Sequence, residues 1–207
     1  MAVDLWVLLA FLPAAIALNL TPGADMMFCF SQGLRRGSKA AITASLGIST
    51  GGLVHVTLAG LGLSALISTV PWLFGAIRWF GVAYLLWLAW SNLHAQADPR
   101  FTTSAKIGRS FWDGFVVNMS NPKVILFILA FIPQFVDPSR NVLAQFLTFG
   151  AVLAIGGFVI NSLVGILSGR FRQSLARNAP AERVLRYLSS GVFVALAIKL
   201  GWDGVKA

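Results

Sequence analysis

The stretch LWVLLAFLPAAIALNLTPGADMMFCF, residues 5–30, is apolar enough for a membrane helix, yet it holds Asn19, Thr21, Pro22, Gly23 and Asp25. A span in lipid must satisfy its backbone polar groups internally. A Pro-Gly pair and a carboxylate at its centre therefore need a reason. Either Pro22 kinks a helix for packing, or the span is broken and its freed backbone groups join Asp25 in a polar site.

Composition decides that the segment belongs in a membrane. The chain has 207 residues, of which 57% are hydrophobic and 11% charged, and its mean hydropathy is +0.78. A soluble domain usually carries about 25% charged residues. The shortfall leaves too little polar surface for a water-soluble globule and implies an all-α polytopic membrane protein. Apolar runs cover 5–32, 41–68, 72–91, 112–135, 143–168 and 187–203, each near the ~20 residues that cross a bilayer. They make one transmembrane domain over residues 1–207. Gly47, Gly51, Gly52, Gly60 and Gly62 in the second run, and Gly150, Gly156, Gly157 and Gly165 in the fifth, let backbones approach closely, inside one chain or between copies. A homo-oligomer is left open.

The net charge of +9 lies between the apolar runs, so it reads as topology and not as a nucleic-acid surface. Arg35, Arg36 and Lys39 follow the first run, Arg100, Lys106 and Arg109 the third, and Arg170, Arg172, Arg177, Arg183 and Arg186 the fifth. The alternate loops are nearly bare, with Arg140 offset by Asp137. Positive charge resists translocation, so the basic loops are expected in the cytoplasm and both termini outside. The first run lacks a basic flank and is expected to be retained, not cleaved as a signal peptide. Trp6, Trp72, Trp79, Trp112 and Trp202 lie near run ends, as interfacial aromatics do. The lone Cys29 offers no disulfide and reads as packing.

The chain also resembles itself. TPGAD at 21–25 parallels NPKVI at 121–125, and ISTGGLVH at 48–55 parallels LAIGGFVIN at 153–161. Two three-helix units, about 1–91 and 110–207, must run in opposite directions because three is odd. Inverted repeats with broken helices are a common transporter architecture. Pro22 lies ~16 Å from the inner end of its run and Pro122 ~18 Å from the inner start of its own, both near mid-depth. Each proline frees a carbonyl four residues earlier, that of Leu18 and that of Asn118.

Asp25 is costly at mid-depth, by about 2.5–3.5 kcal/mol on insertion scales. It is either a proton-coupling group or half of a structural ion pair, with Lys123 as the evident partner. His55 is either a proton site or a hydrogen-bonded packing residue. Asn19, Asn118, Asn121 and Asn161 are neutral amides within the runs. Asn118 and Asn121, three apart, are expected on one helix face, contacting a zwitterionic solute or bridging helices. Asp113, Lys199 and Arg78 sit near run ends and stay outside this site. No P-loop, HExxH or GxSxG is present, which argues against ATP, zinc-protease and hydrolase chemistry. A cation or metal carrier is the second transport reading, though membrane carboxylates and thiols are few. An intramembrane enzyme using Asp25 and His55 is the rival from another class.

TPGADMMF…GLRRGSKAAITASLGISTGGLVH followed by GFVVNMSNPKVILFILAFIPQFV resembles the lysine exporter/RhtB family of bacterial amino-acid exporters. The likeness keeps the motif order along nearly the whole chain and is nearer the homoserine/threonine branch than the lysine branch. It implies a six-span protein of the bacterial inner membrane, not an enzyme and without cofactor or metal, that exports amino acids or close derivatives in exchange for protons. It carries the family's broken-helix motifs onto Thr21, Pro22 and Gly23 and onto Asn121, Pro122 and Lys123. A carboxylate soon after the first motif is common there and is Asp25 here. Ala24 departs from the pattern, since many relatives have a second proline at that point.

Overall fold

The computed structural model describes residues 2–69 and 109–170 continuously, with scattered helical positions from 79 to 90 and from 187 to 202. Most of the expected third and sixth spans, with Trp72, Arg78 and Lys199, and the loops at 92–108 and 171–186 lie outside the described residues. The continuous stretches are helical: α1 (Leu5–Leu20), α2 (Ala24–Arg36), α3 (Ser38–Thr69), α4 (Ser110–Met119), α5 (Pro122–Phe131) with a 3-10 turn Ile132–Phe135, and α6 (Val142–Arg170). No strand occurs among the described residues. Within α3, Ser38–Leu63 is long and apolar enough to cross a membrane, and so is Val142–Ser168 within α6. The two proline-containing runs are each a bent pair: α1 with α2 at 52°, and α4 with α5 and its 3-10 turn at 53°.

Both bends follow from the residue before proline, which is pushed out of the helical region by the ring that follows it. Thr21 is extended at φ −64°, ψ 117°, and Asn121 is extended at φ −85°, ψ 103°. The two prolines are nevertheless not equivalent. Pro122 is the first residue of α5, where its missing N–H costs nothing, and Asn121 Oδ1 caps that helix by accepting from the Lys123 backbone N–H at 3.1 Å. Pro22 lies in the linker, Gly23 precedes α2 without a side-chain cap, and Ala24 is its first residue. The expected alignment of Pro22 with Pro122 is thus offset, and Ala24 stands where Pro122 does. At the far end of α2, Arg35 and Arg36 face the negative end of the helix dipole, and Gly37 turns the chain into α3 at φ +84°.

Contacts fix the directions of the helices. The bent pairs run antiparallel, with Asp4 beside Arg140, Phe11 against Phe131, Thr21 bonded to Lys123, Asp25 to Asn118, and Gln32 to Ser110. Helices α3 and α6 are also antiparallel, for Ser45 Oγ donates to the Phe158 carbonyl and Ser49 Oγ to that of Ala154, both at 3.0 Å, while Val56 meets Gly150. Each bent pair runs parallel to the long helix of the other half. Asn19 and Phe30 meet Leu153 and Ser168 of α6, and Phe111 and Asn118 meet Gly47 and Gly51 of α3.

Lipid supplies no hydrophobic drive between helices, so close packing and hydrogen bonds must hold them. Glycine provides the closeness. A Cβ on Gly33 would strike the Gly165 carbonyl, on Gly47 the Phe111 carbonyl, and on Gly114 the Ala44 carbonyl. At the other end of the bundle, Phe11, Phe127, Phe131, Phe146 and Phe149 are fully or almost fully buried, and Phe135 joins them edge-on to Phe11 at 5.3 Å. Beyond this aromatic layer Arg140 binds Asp4 at 2.9 Å and Asp137 at 3.2 Å. Ser139 donates to Asp137 Oδ1, and buried Gln145 ties the Asp137 backbone to the start of α6. Trp6 and Trp112 are exposed near the starts of α1 and α4.

Gly47→Ala is therefore expected to lower stability by about 1–3 kcal/mol, read as a reduced melting temperature of detergent-purified protein. Gly62→Ala, whose Cβ would meet no described residue within 4 Å, should not lower the melting temperature.

Arg140 holds the Asp4 carboxyl below its ordinary pKa of 3.8, and the Ser139 hydrogen bonds do the same for Asp137. A depressed carboxyl pKa stabilises the fold above the unfolded value, and that contribution is lost as pH falls through the folded one. The melting temperature of wild type should exceed that of Asp4→Asn by a small margin at pH 7. The margin should vanish as the pH drops below about 4.

Candidate functional site

A cavity, mainly apolar with a few polar groups, lies where the two breaks face each other. Its lining comes from both bent pairs and both long helices: Leu18, Asn19, Thr21, Asp25 and Met26; Ile48, Ser49, Gly52 and Val56; Asn118, Lys123, Val124 and Ile128; and Gly150, Leu153, Ala154, Gly157 and Asn161. The cavity has a volume of about 50 Å³, enough to admit water.

Asp25 sits in the first turn of α2, 9% exposed, where the positive end of the helix dipole favours its negative charge. Its Oδ2 accepts from Asn118 Nδ2 at 2.8 Å. Asp25 Oδ1 and Asn118 Oδ1 are both buried with no hydrogen-bond partner among the described residues. Two orphaned acceptors on hydrogen-bonded neighbours suit a donor with several protons.

Lys123 reaches back from α5 across the first break. Its Nζ donates to the Thr21 carbonyl at 3.0 Å and to the Leu18 carbonyl, the one freed by Pro22, at 3.3 Å. At the second break His55 Nε2 lies 3.4 Å from the freed Asn118 carbonyl, which also accepts the Asn121 backbone N–H at 2.9 Å. Both carbonyls released by proline are thus met by a nitrogen-bearing side chain from another helix.

The asparagines split by role. Asn19 donates to the Leu153 carbonyl at 3.2 Å and lies against Gly156 and Gly157, where a Cβ would come within 2.7 and 3.1 Å of its amide. Asn118 lies likewise against Gly51, 2.9 Å from where a Cβ would be. Asn161 lines the cavity with no hydrogen bond to another described residue. Asn118 and Asn121 do not share a helix face, because α4 ends at Met119 before the second amide is reached. Asn121 caps α5 and is absent from the lining.

Of the residues singled out in the sequence, Asn19, Thr21, Asp25, Asn118, Lys123 and Asn161 meet in the cavity. Pro22, Gly23, Asn121 and Pro122 shape the breaks around it, and His55 stands behind Asn118. Asp25 and His55 make no hydrogen bond to each other and engage opposite ends of Asn118. No group of three or more metal-ligating side chains occurs among the described residues. Asp113 pairs with Arg109 at 3.6 Å at the start of α4 and is not part of the lining. Sequence reasoning missed Ser49, which lines the cavity, and the Gln32–Ser110 hydrogen bond at 3.3 Å between the bent pairs. The i, i+4 spacing of Ser45 and Ser49 in a glycine-rich run was the available signal.

Residues 16–204 match the pattern that defines the LysE type translocator family. The chain belongs to that family. It is 35% identical over 150 residues to an uncharacterized membrane protein of Vibrio cholerae, covering 71% of this chain and 73% of the relative. It is 32% identical over 164 residues to the homoserine/homoserine lactone efflux protein of Salmonella typhimurium, covering 78% and 80%. Identity to the leucine efflux protein of Enterobacter sp. is 32% over 203 residues, 92% of each chain. No solved structure matches this LysE-type chain. The family is one of translocators.

Removing the Asn118 amide leaves both Asp25 oxygens without a donor. Asn118→Ala should cost about 1–3 kcal/mol in thermal unfolding, and Asp25→Asn, which keeps a neutral acceptor for Asn118, clearly less.

Proposed function

We propose that this LysE-type protein exports neutral amino acids of the threonine, homoserine or leucine kind across the bacterial inner membrane in exchange for protons. The observation that carries the reading is the mid-span cavity with two orphaned acceptors, Asp25 Oδ1 and Asn118 Oδ1, beside the uncapped amino end of α2. An α-ammonium group carries three donors and fits the acceptors. An α-carboxylate fits the free N–H groups that open α2. Met26, Ile48, Val56, Ile128 and Leu153 offer an apolar wall to the side chain. The names of the Salmonella and Enterobacter relatives point to the same class of cargo.

The architecture in this reading is six spans in two inverted three-helix repeats, about 1–91 and 110–207, forming one domain with both termini outside. The matching bends of 52° and 53°, the antiparallel pairing of the bent spans, and the seating of each on the other half's long helix support it. An outside proton reaching Asp25 removes the charge that holds the ammonium and releases the amino acid. Loss of that proton inward resets the carrier. Lys123, engaged with backbone carbonyls, serves the break and leaves the substrate carboxylate to α2.

The test uses proteoliposomes loaded separately with labelled threonine, homoserine and leucine. An inward proton gradient should accelerate efflux of at least one of them. Asp25→Asn should bring that rate down to the level without a gradient. Undiminished gradient-driven efflux in Asp25→Asn would remove Asp25 from proton coupling.

A further inference from the structure

The contact that the export cycle does not use is the grip of Lys123 on the carbonyl end of α1. A helix ends in unpaired carbonyls that carry roughly half a negative charge. In water they are solvated, and at mid-span they are not. Helix α1 has no basic residue in its last turn, so it brings no cation of its own. Pro22 withholds the N–H that would have met the Leu18 carbonyl. The first break therefore exposes two oxygens, of Leu18 and Thr21, with no charge from their own helix to meet them.

Lys123 is placed against the interest of the helix that carries it. It lies in the first turn of α5, where the dipole disfavours a positive charge. Its ammonium instead reaches the Thr21 and Leu18 oxygens at 3.0 and 3.3 Å. Gly23 leaves it room, since a Cβ there would stand 3.1 Å from Nζ. The anion Asp25 follows within the next turn. Two backbone oxygens at the negative end of a helix, with a carboxylate close by, form the environment that selects a monovalent cation.

We propose that the first break is a monovalent-cation site that the protein fills with its own side chain. Lys123 is a tethered cation: a positioning residue that fixes the angle between α1 and α2 and frees the protein from any need for sodium or potassium there. The second break is held differently, by the His55 imidazole and the Asn121 N–H on the Asn118 carbonyl, so of the two breaks only the first forms this site. This goes beyond the export reading and is tested without an amino acid, so that either can fail alone.

The measurement is the melting temperature of purified, substrate-free protein in methylammonium chloride and in tetramethylammonium chloride at equal concentration. Lys123→Ala should melt below wild type. Methylammonium, the truncated end of the lysine side chain, should raise its melting point saturably, by about 3 °C, while tetramethylammonium, too bulky and without N–H donors, should not. Wild type should respond to neither. A Lys123→Ala protein as stable as wild type overturns the proposal, as does one destabilised yet indifferent to methylammonium. If Lys123→Ala cannot be recovered folded, Lys123→Arg and Lys123→Gln decide. The charged variant melting higher supports a cation site, and equal or reversed stability, meaning that a neutral donor suffices, overturns it.

Discussion

The structure depends on the requirement that backbone carbonyls released inside a membrane span find donors within the protein. Pro22 and Pro122 each release one, and the protein meets each with a side chain from a different helix: Lys123 for Leu18, His55 for Asn118. Once those donors are fixed, much else follows. The bent spans must lie side by side for Lys123 to cross from one to the other. Helix α3 must pass close to α4 for His55 to arrive. The glycines at 33, 47, 51 and 114 are the means by which helices come that near.

The two halves solve one geometric problem with unequal chemistry. Asn19 lies on Gly156 and Gly157 of α6, and Asn118 lies on Gly51 of α3, so a short amide on a glycine pair recurs. The breaks themselves diverge. One has an uncapped helix start carrying an acid, the other a helix start capped by Asn121 and carrying a base. A small zwitterion has the same polarity, one end of each sign. Unequal breaks suit such a molecule better than identical ones would.

The breaks were legible in the sequence because proline acts locally, on the residue before it and on the carbonyl four back. Residue ranges for the first, second, fourth and fifth runs came within a few positions of the helices for the same reason, since length and hydropathy are local properties. What the sequence withheld were choices between distant partners. Lys123 had a carboxylate and two freed carbonyls within prospect, and the order of residues does not rank them. The pairing of Asn118 with Asn121 failed because a face extrapolated along a helix means nothing past the residue where it ends. The offset of Pro22 from Pro122 arose because matching letters hid a linker in one break that the other lacks. Ser49 was overlooked because a serine in a helix reads as neutral until the opposing backbone, here at Ala154, is known.

The phenylalanines between the cavity and Arg140 have a consequence of their own. Phe11, Phe131 and Phe149 interlock, with ring centres 6.0 Å and 4.8 Å from Phe11, and none offers an oxygen or nitrogen. A wire of water molecules needs such atoms to relay charge from one to the next. In this conformation the described rings offer no such relay between the cavity and Arg140.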